Sequence, residues 1–250
     1  MRVTQIGNFS VIEYLYPPPK AKYMVVGIPD AGLVGVLSST QLIKKLNMQE
    51  VSGIMSPELT PIVPIVNGIA RYPIRVFHKD ELVVVISEVA IPPSIVYDMA
   101  ELLVELANRY GVGMIISMTA LAIPNRLEVS KPKVYHIVNN QDLEKYIPQG
   151  LTEKFGEGYI VGPYAPLLIT SSLHSIDNIT LTVESFMEIP DPEAAYEAIG
   201  VFTSITGIKI DASDLLKEAE EVRLRMKSLM QETRNKMEQM QGTKRPITYV

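Results

Sequence analysis

The chain has 250 residues, 47% hydrophobic and 20% charged, so it can bury a large core and does not have the composition of a disordered polymer. Its net charge of −5 argues against a general nucleic-acid binder, and the lack of cysteine excludes disulfides, thiolate metal sites and cysteine nucleophiles. No apolar run reaches the ~18 to 20 residues of a membrane span, and the N-terminal MRVTQIGNFSVIEYL has no signal-peptide core, so a cytoplasmic protein without a membrane partner is expected.

Short β-rich runs alternate with helical patterns along the chain. YMVVGI (residues 23–28) reads as a buried strand, and GLVGVLSSTQLIKKL (32–46) as the helix after it, with apolar residues near 3.6 spacing. RVFHKDELVVVISEV (75–89) reads as two strands turning at Lys79-Asp80. A helix is predicted over 92–111, with Pro92 and Pro93 at its start, Ser94 as a candidate cap and Gly111 as a left-handed stop. GMIISMTAL (113–121) is continuously apolar, as in a strand buried on both faces of a parallel sheet. Further strands are expected over 133–138, near 158–161 and over 178–183, with a helix over 163–173. The helix over 191–207 carries Asp191 as N-cap, Pro192 at its first position and Gly207 as terminator.

A second, highly charged helix is predicted over 211–241, extending roughly 45 Å. Leu215, Ala219, Val222, Met226, Leu229, Thr233 and Met240 fall on one heptad seam, interrupted by Lys236. The seam suits packing within the chain and packing between subunits equally. Met187, Met226, Met230, Met237 and Met240 favour a surface that adapts its packing. The βαβα order predicts a mostly parallel sheet with helices on both faces. Residues 1–210 then form one α/β/α domain, 211–241 a helical arm and 242–250 a flexible tail.

GIPDAGLVG (27–35) is the most conspicuous loop. Glycines between a strand and a helix suggest phosphate binding, which would use Gly27, Asp30, Gly32 and Gly35. The spacing is neither the dinucleotide fingerprint nor a P-loop, and Asp30 puts a carboxylate where a phosphate would sit. The favoured reading is a tight turn shaped by Pro29 and Gly32 and capped by Asp30, with Gly35 bringing the helix close to the sheet. His78, His136 and His174 lie far apart in the chain, so no metal site or cofactor is expected. Ser171, Ser172, His174 and Ser175 are neighbours in sequence, which does not make a catalytic triad. Glu88, after the strand LVVVIS, is read as a cap on a neighbouring helix.

Two blocks carry a resemblance: GIPDAGLVG, and the more specific VESFMEIPDPEAAYEAIGVFTSITGIKIDASDLLKEAEEV near the end. With them the chain resembles the archaeal branch of the proteasome assembly chaperone family over about residues 23–240. The resemblance implies an α/β/α sandwich of nucleoside-phosphorylase-like outline. It also implies a non-enzymatic helper that binds proteasome α subunits, or an assembled α ring, and that forms homo-oligomers. The chain ends in KRPITYV, similar to the hydrophobic–Tyr–any motif by which proteasome-binding factors dock between α subunits. Tyr249 and Val250 match its last two positions; Thr248 departs from the hydrophobic residue, with Ile247 one step earlier. The opposing reading is a nucleotide- or small-ligand-binding enzyme built on the 27–35 loop.

Overall fold

The computed structural model describes residues 1–242; Ile247, Thr248, Tyr249 and Val250 lie outside the described residues. Two strands that the sequence reading passed over open the chain: β1 (Arg2–Ile6) and β2 (Phe9–Glu13), paired as an antiparallel hairpin. β3 (Tyr23–Gly27) then leads through a 3-10 turn at Ala31–Leu33 into helix α1 (Val34–Leu46). β4 (Gln49–Met55), the small hairpin β5 (Ile65–Val66) and β6 (Ile69–Ala70), β7 (Ile74–Lys79) and β8 (Leu82–Ser87) follow. A 3-10 turn at Pro93–Ile95 precedes α2 (Val96–Tyr110). Then come β9 (Met114–Ala122), β10 (Val134–Val138), β11 (Glu153–Lys154), α3 (Tyr164–Leu173) and β12 (Asp177–Ser185). The chain continues with α4 (Pro192–Thr206), α5 (Asp214–Lys217) and α6 (Ala219–Gly242).

Ten strands form one sheet in the order β1-β2-β4-β7-β8-β3-β9-β12-β10-β11. The expectation of a mostly parallel sheet is corrected: five neighbouring pairs are antiparallel and four parallel. The parallel part is the centre, β8-β3-β9-β12. The reason lies in the connections. A parallel step needs a crossover of a dozen or more residues, whereas β7 and β8 are joined by Asp80 and Glu81 alone, with Asp80 left-handed at φ 48°.

Alternation along the central strands builds a core on each face. Tyr23 and Val25 face α1 and α4, while Met24 and Val26 face α2 and α3. Two helix ends follow the sequence signals. Gly111 closes α2 at φ 68°, and the Asp191 side chain accepts from Ala194 N, opening α4 before Pro192. Ser94 does not cap α2, because residues 93–95 take a 3-10 turn and the helix proper begins at Val96.

Two further expectations are corrected. No strand forms at 158–161. Gly156, Gly158 and a left-handed Gly162 interrupt that stretch, and the pairing falls instead to β11, beside Tyr135 and His136 of β10. The late helix is not continuous: Glu218, at φ −108° and ψ 20°, separates α6 from α5, which packs on α4 and pairs Asp214 with Lys45 at 2.6 Å. The seam is packed within the chain as far as Thr233. Leu215, Val222 and Met230 are buried in the α1/α4 core, with Met226 and Leu229 partly buried against it.

Candidate functional site

The connections of the parallel strands reverse direction between β3 and β9, the place where open α/β sheets bind ligands beyond their strand ends. The 27–35 loop lies there. The structure brings Gly27, Asp30, Gly32 and Gly35 together and buries all four, along with every residue from Tyr23 to Ser39. The glycines are there for close packing. A Cβ on Gly35 would collide with Tyr164 Oη and the Met118 carbonyl, and one on Gly27 with Ser39. Gly32 sits at φ 59°, a left-handed position that favours glycine, and a Cβ there would strike Ser185.

Two backbone amides of the loop are already bonded. Ile28 N donates to Tyr164 Oη at 2.9 Å, and Leu33 N to the Asp30 carbonyl at 3.1 Å. The Asp30 side chain does not cap the 3-10 turn; it accepts from the Thr119 hydroxyl of β9, and its Oδ1 has no hydrogen-bond partner. Burial pushes this carboxyl up to about 7, against the opposing pull of Thr119 and the Ala31 N–H.

A second buried group ties the strand ends together. Arg126, after β9, grips the Asp191 carboxylate with Nε at 2.8 Å and Nη2 at 3.0 Å, and donates from Nη1 to the Val129 carbonyl at 2.7 Å. Ser185 Oγ donates to the same carboxylate at 3.1 Å, and Asp191 N donates to the Gly32 carbonyl at 2.9 Å. The loops after β3, β9 and β12 are thereby one hydrogen-bonded unit. Helix α6 crosses over the Ala31–Leu33 turn and is pinned by Arg223 to Glu193 at 2.9 Å and by Arg234 to Glu188 at 3.3 Å. The crevice is filled by the chain itself.

The other candidates are structural. Ser171 donates to the Leu167 carbonyl and accepts from Asn178, while His174 meets Glu101 at 3.1 Å. Glu88 is not a helix cap; it pairs with Arg75 at 2.9 Å. Among the described residues, no group of three or more His, Cys, Asp or Glu is placed to hold a metal, and no helix is long and apolar enough to cross a membrane. Sequence reasoning missed Thr119, Arg126, Tyr164 and the second role of Asp191. No local pattern marks them, since Arg126 and Asp191 are 65 residues apart.

What the surface does offer is apolar. Ile65, Val66 and Ile69 stand exposed on the β5–β6 hairpin, and Ile169 and Leu173 on the outer side of α3, a helix without a single charged residue. Exposed apolar patches of this kind are surfaces that a partner can cover. The chain belongs to the PAC2 family, whose model matches residues 24–230. The resemblance to proteasome assembly chaperones drawn from GIPDAGLVG and the 183–222 block is borne out.

Among solved structures the chain is similar to Pyrococcus furiosus PbaA, described as an archaeal homolog of proteasome-assembly chaperone. The TM-score is 0.80 at 24% identity, covering 90% of this chain and 98% of that one. A monoclinic form of PbaA gives a TM-score of 0.76 at 27% identity, covering 93% and 98%. Pyrococcus furiosus PbaB, described as an archaeal proteasome activator, gives 0.76 at 23% identity over 89% and 98%. Among curated sequences, the protein MJ0106 of Methanocaldococcus jannaschii is 25% identical over 214 residues, 84% of this chain and 85% of the relative.

Proposed function

We propose that this chain is a non-enzymatic proteasome assembly factor of the cytoplasm that binds proteasome α subunits, or the assembled α ring, and promotes formation of the core particle. The observation that carries the reading is the PAC2 match, together with likeness over nearly the whole of both chains to PbaA, a homolog of proteasome-assembly chaperone. The C-terminal residues Ile247, Thr248, Tyr249 and Val250 supply the docking peptide, its carboxylate meeting a cation between neighbouring α subunits. The chain acts as a homo-oligomer, for which the exposed Ile65, Val66 and Ile69 and the outer face of α3 offer surface to cover. Against the nucleotide-binding reading stands the occupancy of the 27–35 loop: Tyr164 takes the Ile28 amide, and a carboxyl occupies the would-be phosphate position.

The test is a pull-down of purified α subunits by the full chain, with light scattering of the chain alone. Retention of α subunits and a particle larger than a monomer at micromolar concentration are expected, and Ile65→Asp with Ile69→Asp should reduce the particle size. Failure to retain α subunits or the assembled ring would overturn the reading.

A further inference from the structure

The β5–β6 hairpin turns on Asn67 and Gly68 alone. It stands apart from the ten-stranded sheet as a ladder of two residue pairs, Ile65 with Ala70 and Val66 with Ile69. Both turn residues are left-handed, at φ 52° and 75°, as an Asn-Gly pair is in a two-residue hairpin. Both are exposed, and a Cβ built on Gly68 would meet nothing within 4 Å. Neither the Asn67 side chain nor the Gly68 N–H has a hydrogen-bond partner among the described residues. A hairpin of two pairs is marginal by itself, so this turn opens more readily than the main sheet.

Asparagine is a thermally labile residue, because its carboxamide carbon can close a five-membered ring with the next residue's backbone nitrogen. A side chain on that next residue obstructs the closure, and so does a fixed backbone; glycine removes the first obstacle and an open turn the second. Of the nine asparagines in the chain, only Asn67 is followed by glycine, and the other eight precede residues no smaller than asparagine. Three of those eight are tied down as well. Asn8 Nδ2 donates to Asp98 at 3.0 Å, Asn139 Nδ2 to the Ile176 carbonyl at 2.9 Å and Asn178 Nδ2 to Ser171 at 3.0 Å.

We propose that Asn67 is a self-modification site, where the side-chain amide is hydrolysed through a cyclic imide. With the turn open, the Gly68 nitrogen gives its proton to hydroxide and attacks Asn67 Cγ. The new N–Cγ bond closes the ring and the Cγ–Nδ2 bond breaks. Nδ2 leaves as ammonia, taking a proton from water and restoring the hydroxide. A second water opens the imide at either carbonyl, giving aspartate or isoaspartate. The net change is one water consumed and one ammonia released, with no oxidation or reduction. The product places a carboxylate among the exposed Ile65, Val66 and Ile69, and the isoaspartyl form also lengthens the main chain by a methylene within a two-residue turn. If this hairpin is covered in the homo-oligomer, as read above, the new charge opposes that burial and marks aged, unassembled copies. That consequence rests on the oligomer reading; the chemistry does not.

The full chain is incubated at mildly alkaline pH and mapped by tandem mass spectrometry. Asn67 should be converted at least about tenfold faster than any other asparagine, and Gly68→Ala should slow it at least about tenfold. Alanine at a left-handed position loosens the turn, so a slower reaction reports obstructed ring closure rather than a tighter fold. No conversion at Asn67, or conversion no faster than at the other asparagines, overturns the site. A rate indifferent to Gly68→Ala overturns the imide route. Light scattering tests the consequence: Asn67→Asp should give a smaller particle than the parent, and Asn67→Gln one of the parent's size. An oligomeric parent matched in size by Asn67→Asp overturns the effect on assembly, whereas a monomeric parent overturns the oligomer reading itself.

Discussion

Asp30 shows what a conspicuous loop residue does when its crevice is sealed. Unfolded, it titrates near 3.8; folded, burial carries it to about 7. Between those values the folded chain keeps a proton that the unfolded chain has released. The stability this confers is therefore full below about pH 4 and declines as pH rises towards 7, by about 1.4 kcal/mol per unit. Asp30→Asn still accepts from Thr119 but does not titrate, so its urea stability should fall less between pH 4.5 and 7 than that of the parent. Parallel declines in the two proteins would show that Asp30 is not the source. Arg126 obeys a different rule. Its removal leaves the Asp191 carboxylate buried with only Ser185 and backbone amides for company, so Arg126→Ala should cost about 3–5 kcal/mol in chemical denaturation. Arg126→Lys should recover only part of that, since an ammonium cannot reproduce the two-pronged grip. Full stability in Arg126→Ala would refute the lock.

At the scale of elements, α6 decides how the strand-end loops are covered. Met230 is 3% exposed against the body, whereas Leu224, on the same helix, is 73% exposed. Met230→Ala should lower stability by about 2–5 kcal/mol, and Leu224→Ala by no more than about 0.5. Equal effects, measured by thermal melts, would mean that the helix is not seated on this face. The elements legible in the sequence were those with strong local signals: the apolar runs that became β3 and β9, and the helices closed by Gly111 and Gly207. β1, β2 and β4 were not legible, because short strands with polar residues such as Thr4, Gln5, Glu50 and Ser52 owe their conformation to a neighbour's ladder rather than to their own pattern. The same holds for the seam of α6. Its spacing was readable, but only the fold shows that its partners are α4 and the 27–35 loop, and that the helix is interrupted at Glu218.

For the whole molecule, docking of the proposed C-terminal peptide predicts how binding to the α ring responds to changes in its last residues. If several tails on one oligomer engage an α ring together, each can be weak. Once the first is bound, the second acts at an effective concentration of about millimolar. Deleting residues 248–250 should then weaken binding to an immobilised core particle at least about tenfold, or ~1.4 kcal/mol, while leaving fold and oligomer unchanged. Tyr249→Ala should account for most of the loss, because its ring is the largest apolar group in the segment. Thr248→Ile should bind more tightly, since it restores an apolar residue where the docking motif has one. Surface plasmon resonance on these three variants tests the reading. If the truncation and Tyr249→Ala both bind like the parent, attachment runs through the α/β body, and the exposed hairpin residues Ile65, Val66 and Ile69 become the next positions to substitute.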